Sequence, residues 1–376
     1  MPLHWFVNKH PGTPGTVVLP AGGFRRAKAE ITRWPGYAKT PLHDLPALAA
    51  QTGIGAVRLK DEGARFGLGS VKALGGAYAV ADVLLVELAR RGTAASTADL
   101  LARRHDTSFV TIACATDGNH GRSVAWGARQ FGASCVVFLH AAVSAGRAEA
   151  IARYGAEIRR VEGTYDDSVR AVAVAAEREG WIVVSDTAWP GCTELPRLIM
   201  QGYRLMTDEA LEQWTGPPPT HAFVQAGVGG IAASVAAQLR AGLDRPVKLL
   251  VVEPDRAACL LASAKAGRQV TVGGDLDTIM AGLACGEPSL LAWQELERAA
   301  TAFLAIEDSA AQDAMRTLAR LGIVSGESGA AGLAGLLEAA KDGGAREALG
   351  LDPSSRVLLF STEGATDPAL YARLVA

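Results

Sequence analysis

The chain has no pair of cysteines at redox or metal-ligand spacing. Its five cysteines, Cys114, Cys135, Cys192, Cys259 and Cys285, are scattered, without a CxxC and without a histidine at ligand distance. That pattern excludes a zinc-ribbon or thioredoxin-like class and predicts free thiols in a reducing compartment, with no metal. Excess charge of one sign is also missing. The 37 Lys and Arg against 39 Asp and Glu leave a net charge of -2, so no electrostatic argument favours nucleic acid or an anionic membrane as partner. No apolar run is long and uninterrupted enough to span a bilayer. The opening stretch, MPLHWFVNKHPGTPG, lacks a basic segment followed by an apolar one, and a cytoplasmic location is the expectation. Repeats and low-complexity segments are absent too, so glycine and proline serve as punctuation between periodic segments.

What is present is a strand-and-helix rhythm. From Ser108 onward, SFVTIACAT reads as a buried strand, HGRSVAWGARQFG as a helix closed by glycine, and SCVVFLH as the next strand. SAGRAEAIARYG, AEIRRVEG, YDDSVRAVAVAAEREG and WIVVSD continue the alternation. Regular alternation at this spacing predicts an α/β fold with a parallel sheet covered by helices on both faces. The rhythm returns with THAFVQAG, a helix from Gly229, VKLLVVEPD and SRVLLFSTEG, after a helical stretch ELPRLIMQGYRLMTDEALEQW. A chain of 376 residues is long for one core. Two domains are therefore expected: residues 88–187 as a small inserted α/β lobe, and residues 1–87 with 188–376 as a large one whose sheet needs the N-terminal segment for completion. Ligands in such sheets sit at the carboxyl ends of the strands.

Three segments carry chemistry. In FVQAGVGGIAASV, Gly227, Val228, Gly229 and Gly230 lie between a strand and a helix, where bare backbone amides hold a phosphate. The same string fits a tight turn equally well, or a loose dinucleotide fingerprint with Glu253 as the ribose-binding acid. In CATDGNHGRSVAW, the residues Thr116, Asp117, Gly118, Asn119 and His120 gather polar groups at a helix start, suited to gripping a substrate carboxylate; Thr116 or Asp117 as a simple helix cap is the plainer reading. In RFGLGSVKALGGAYAV, Lys72 opens an amphipathic helix among small residues, with no carboxylate near it in the sequence. A lysine so placed is expected to give up its proton and act as a nucleophile. Together with a phosphate cradle elsewhere, it describes the Schiff-base lysine of pyridoxal 5'-phosphate.

The combination of lysine segment, asparagine loop, glycine-rich loop and terminal Ser/Thr segment resembles the fold type II pyridoxal-phosphate enzymes, the group of tryptophan synthase β-subunits and threonine dehydratases. Within that group FGLGSVKALGGAYA, ATDGNHGRSVAW, DTAWPG, IMQGY, AGVGG, VVEPD, TIMAGLACGEPS, SGESGA and STEGATD are similar to the diaminopropionate ammonia-lyase family. The resemblance implies two three-layer parallel-sheet domains with the cofactor in the cleft between them, a small amino-acid substrate, and a homodimer. By resemblance, Lys72 carries the cofactor and removes a proton from one face of the substrate, Asn119 bonds the ring hydroxyl, Gly227 to Gly230 bind the phosphate, and Ser361 or Thr362 faces the pyridine nitrogen. Asp117 is the base on the opposite face, since one base reaches only one side of a planar adduct; Asp186 binds or protonates the departing β-amine. The expected reaction is α,β-elimination of D- and L-2,3-diaminopropionate to pyruvate and two ammonia. A related dehydratase or β-replacement enzyme acting on serine, threonine or another β-substituted alanine is the nearest alternative, and a nicotinamide oxidoreductase built on AGVGG and Glu253 the more distant one.

Overall fold

The computed structural model describes residues 3–116, 118–141 and 143–376. In chain order the strands are β1 His4–Val7, β2 Leu42–Asp44, β3 Ala56–Asp61, β4 Thr111–Ala115, β5 Ser134–His140, β6 Glu157–Val161, β7 Ile182–Val183, β8 His221–Gln225, β9 Lys248–Pro254, β10 Ala302–Ile306 and β11 Arg356–Ser361. Four strands, ordered β6-β5-β4-β7, form one sheet, and seven, ordered β1-β10-β9-β8-β11-β3-β2, form the other. The small sheet is parallel throughout its described pairs, as are the five inner strands of the large one. The edge strands β1 and β2 run antiparallel to β10 and β3. The segment 1–87 supplies three strands, β1, β2 and β3, to the large sheet.

Burial on both faces explains why the strands read as unbroken apolar runs. In β8, Ala222 and Val224 face one core while Phe223 faces another; in β11, Leu358 and Phe360 oppose Val357 and Leu359 in the same way. The small sheet does likewise: Ile112 and Cys114 of β4 join the larger core, and Ala113 joins a separate one under helix Tyr165–Glu179. One continuous core therefore runs from the large sheet to the small one. Two expected strands are shorter than their sequence patterns, with 108–116 reduced to Thr111–Ala115 and 181–186 to Ile182–Val183. β10, five apolar residues covered on both sides, carries no periodicity that separates it from a buried helix.

The helix that follows Lys72 departs from expectation. Ala73–Arg90 is not amphipathic at its start; every residue from Ala73 to Ala81 is buried. It packs against both helix Asn119–Phe131 and helix Glu194–Gln213, so it lies inside the joint between the two sheets. A helix surrounded by other elements has no solvent face to mark with polar residues.

The segment leading to Lys72 is anchored by a buried charge network. Lys60 Nζ donates to Glu209 Oε2 at 2.7 Å and to the Thr40 carbonyl at 2.7 Å. Arg65 donates to the same Glu209 through Nη1 at 2.9 Å and Nη2 at 2.7 Å, and to Glu62 through Nε and Nη2 at 2.8 Å. Two cations balance two carboxylates, all at most 1% exposed. Burial pulls the Lys60 ammonium down from its ordinary pKa, with Glu209 and Glu62 opposing; burial pushes Glu209 up, but Arg65 and Lys60 outweigh it and hold the carboxyl low. Removing one member leaves an uncompensated interior charge, which costs about 3–5 kcal/mol. Glu209→Gln is expected to lose that much stability in urea unfolding; a loss under about 1 kcal/mol, the worth of an exposed pair, would show that the network does not anchor this segment.

Candidate active site

Lys72 lies where three chain segments converge at the carboxyl ends of the strands. The residues before it are stitched to the end of β11: Ser70 bridges Glu363, Val71 N–H donates to the Thr362 carbonyl at 3.0 Å, and Gly364 N–H donates to the Gly69 carbonyl at 3.0 Å. From that ledge Lys72 Nζ donates to Asp186 Oδ2 at 2.6 Å. Asp186 follows β7, so the pair joins the two sheets. The sequence expectation of a lysine without a carboxylate neighbour is therefore corrected: the carboxylate arrives from 114 residues away. The expected loss of the proton is corrected with it. Burial alone would lower the Lys72 pKa, but Asp186 and the nearby Tyr203 reverse this and raise it. Asp186 in turn is held below the usual carboxylate range; burial pushes it up, and His120 and Lys72 together outweigh burial. His120 donates from Nε2 to the Val184 carbonyl at 2.8 Å, which turns its Nδ1 toward Asp186, 3.8 Å away; that Nδ1 is buried without a hydrogen-bond partner among the described residues.

The glycine loop lies across the cleft, between β8 and helix Gly230–Gly242. Its carbonyls are occupied: Gly227 by Cys259 Sγ at 3.7 Å, Val228 by Ser289 N–H at 2.9 Å, Gly229 by Ala233 N–H at 2.9 Å. The amides of Gly227, Val228 and Gly229 have no protein acceptor among the described residues, and they precede a thirteen-residue helix whose dipole favours an anion. Gly229 has φ +95° and leaves no room for a side chain, since a Cβ would come within 3.0 Å of Ala292. Unmet amides, a helix N-terminus and a loop that excludes side chains fit a phosphate group. The dinucleotide alternative does not survive: Glu253 is fully buried and accepts the Leu260 and Leu261 N–H groups, each at 2.7 Å, so it caps helix Cys259–Ala266 and cannot reach a ribose.

The remaining expected residues fall on the same cleft or just behind it. Thr116, Gly118, Asn119 and His120 line it, as do Gly227, Val228 and Gly230. The Thr116 hydroxyl accepts the Gly118 and Gly121 N–H groups at 3.1 and 3.0 Å, meeting a first-turn amide of helix Asn119–Phe131, although the N-cap of that helix is Gly118. Asp117 lies outside the described residues. Asn119 donates from Nδ2 to Glu363 and accepts from Arg122 at 2.7 Å. The two hydroxyls near the C-terminus separate clearly. Ser361 is fully buried and donates to Ser325 Oγ at 2.8 Å, away from the cleft. Thr362 lines the cleft, accepts from Gln225 Nε2 at 2.8 Å and so keeps its own hydrogen for another acceptor. Residues that sequence reasoning missed are Tyr203, Arg122, Arg147 and Glu363, all on the cleft wall. Arg147 donates to Glu327 at 2.5 Å, another bridge between the two sheet units; Glu327 is pushed up to about 7 by burial and by the neighbouring Glu363 carboxylate. Each sits inside or beside a recognisable block of sequence, but Arg147 and Glu363 find partners, Glu327 and Asn119, that are 180 and 244 residues away along the chain.

The sequence profile described as "Pyridoxal-phosphate dependent enzyme" matches residues 33–363. Diaminopropionate ammonia-lyase of Salmonella typhimurium is 42% identical over 361 residues, covering 91% of this chain and 89% of that protein. The holo form of diaminopropionate ammonia lyase from Escherichia coli superposes with a TM-score of 0.92 at 38% identity, covering 99% of this chain and 96% of that one. The same enzyme in complex with an aminoacrylate-PLP azomethine reaction intermediate gives a TM-score of 0.91 at 38% identity, with the same coverage of both chains.

The Lys72–Asp186 pair has a measurable consequence in the protein alone. With Asp186 depressed and Lys72 elevated, both stay ionised from about pH 4 to pH 10, between the ordinary carboxylate and amine values. The stabilisation from Asp186 is then present above the ordinary carboxylate pKa and is lost as the pH falls below it. Asp186→Asn removes the group that raises the amine. Acetylation of Lys72 at mildly alkaline pH, followed by mass spectrometry, is expected to be faster in this variant than in the parent; an unchanged rate would show that the carboxylate does not control the amine.

Proposed function

The chain belongs to the family of pyridoxal-phosphate dependent enzymes, and on that premise we propose that it eliminates ammonia from 2,3-diaminopropionate, giving pyruvate and a second ammonia with consumption of one water. The observation that carries this reading is a lysine amine held by a carboxylate at 2.6 Å, in a cleft whose opposite wall is a glycine loop with unmet amides. Gly227, Val228, Gly229 and Gly230 would hold the cofactor phosphate, Lys72 its aldehyde carbon, Asn119 its ring hydroxyl and Thr362 its ring nitrogen. Bound there, the cofactor supplies an electron sink that makes the substrate α-hydrogen acidic.

The rest is the work of the chain itself. Lys72 Nζ takes the α-proton on the face it occupies. Asp186, between Lys72 and His120, accepts a hydrogen bond from the substrate's β-ammonium and orients it for departure, a role that suits a diamine better than the neutral hydroxyl of serine. The freed enamine takes up water and releases the second ammonia. Asp117, placed by resemblance on the opposite face, serves the D isomer, with Thr116 and Gly118 gripping the substrate carboxylate. We place the cleft between a lobe of residues 88–187 and a lobe of residues 1–87 with 188–376. Cytoplasmic residence and a homodimer belong to the same proposal and rest on the family resemblance; light scattering is expected to give twice the chain mass of 39.0 kDa, and a mass of one chain would remove the dimer.

Two variants test the chemistry. In Lys72→Ala, both the visible absorbance of the lysine-bound cofactor and the release of pyruvate from DL-diaminopropionate are expected to vanish, and retention of both would overturn the assignment. Run beside it, serine and threonine should turn over more slowly than the diamine in the parent enzyme; a faster hydroxy amino acid would move the assignment to a dehydratase. Asp117→Asn should cut turnover of the D isomer by about 10²–10⁴, the range for a lost general base, while sparing the L isomer. Equal loss on both isomers would make the aspartate structural.

A further inference from the structure

Tyr203 is 1% exposed, and its hydroxyl has no hydrogen-bond partner among the described residues. Leaving a buried hydroxyl unmet costs about 1–3 kcal/mol, so an apolar ring would serve packing better at this position. The hydroxyl nevertheless belongs to a side chain on the cleft wall, with the Lys72 amine 5.4 Å from the centre of its ring.

The ring is wedged in place by a close helix crossing. Helix Glu194–Gln213 meets the start of helix Ala73–Arg90 with backbone against backbone: a Cβ on Gly202 would lie 2.1 Å from the Leu74 carbonyl oxygen. A Cβ on Gly75 would lie 2.5 Å from Tyr203 Cε1. The glycines of ALGGAY and IMQGY thus have one joint effect, to bring the tyrosine ring beside the lysine at the helix start.

Resting on the function proposed above, we infer that Tyr203 is a positioning residue for Lys72: its hydroxyl accepts one hydrogen of the neutral amine while Asp186 accepts another, which leaves the nitrogen lone pair directed into the cleft. An amine held by Asp186 alone rotates about one bond and presents its lone pair only part of the time. The mechanism asks for this orientation twice, when the lysine captures the cofactor aldehyde and when it takes the substrate proton.

Tyr203→Phe tests the inference through three readouts on the full chain. The urea midpoint of the cofactor-free variant should equal or exceed that of the parent, because in the resting protein the amine is bonded to Asp186 and the hydroxyl is unmet among the described residues. Capture of pyridoxal 5'-phosphate, followed by the growth of lysine-bound absorbance, should slow about tenfold, the weight of one hydrogen bond. Affinity for pyridoxamine 5'-phosphate, which carries the same phosphate and ring but cannot condense with lysine, should be unchanged. Capture at the parent rate would overturn the inference, and so would weakened binding of the pyridoxamine form or a lowered midpoint, either of which would make the tyrosine structural. Failure of the parent protein itself to form the lysine-bound absorbance would remove the proposed function and this inference with it.

Discussion

The bond between Lys72 and Asp186 ties the two halves of the molecule to one chemical purpose. The lysine stands at the head of a helix that both sheets share, and the aspartate stands just beyond the last strand of the small sheet. Opposite charges at 2.6 Å in a partly enclosed cleft attract far more strongly than the same pair in water. The cofactor-free protein thereby holds its amine protonated and its cleft aligned. Chemistry at that amine requires the proton to leave, so a ligand entering the site must rearrange this pair first.

Everything around the pair works to keep it in register. The buried square of Lys60, Glu62, Arg65 and Glu209 pins the segment ahead of Lys72 to helix Glu194–Gln213. The same helix, one and a half turns earlier, presents Tyr203 to the lysine and approaches helix Ala73–Arg90 so closely that only glycine fits at Gly202. A single helix thus sets the approach of the lysine segment from two sides. The ledge from β11 closes the third, through main-chain bonds that do not depend on which side chains occupy it. Polar anchoring of this kind is costly to desolvate, and its return is a single geometry.

The glycine loop shows how local and distant constraints combine. Among the described residues its amides at Gly227, Val228 and Gly229 meet no protein acceptor, while its carbonyls are taken by Cys259, Ser289 and Ala233. Two of those partners lie outside the loop and its helix, one from the helix capped by Glu253 and one from the start of the following helix. A stretch of glycine and valine offers a phosphate site only when its neighbours have claimed the wrong ends of its peptide groups. Glu253, which the motif alone would assign to a ribose, is one of the residues that organises those neighbours.

Much of the α/β architecture was legible along the chain, because strands buried on both faces leave apolar runs and helices between them end at glycine, features that depend on a few adjacent residues. The lysine, the asparagine loop and the glycine loop were legible for the same reason: each is a short block whose residue types make sense together. What could not be read was how the blocks answer one another. The carboxylate beside Lys72, the tyrosine beside it, the separation of Thr362 from Ser361, and the cap made by Glu253 all depend on contacts between residues distant in sequence. Periodicity and the short residue blocks determined a parallel-sheet frame carrying a lysine segment and a glycine loop; only packing of the two sheets around a shared helix decided the charge, the partners and the aim of that lysine, because electrostatics and hydrogen bonding act across a few ångströms of space and take no account of distance along the chain.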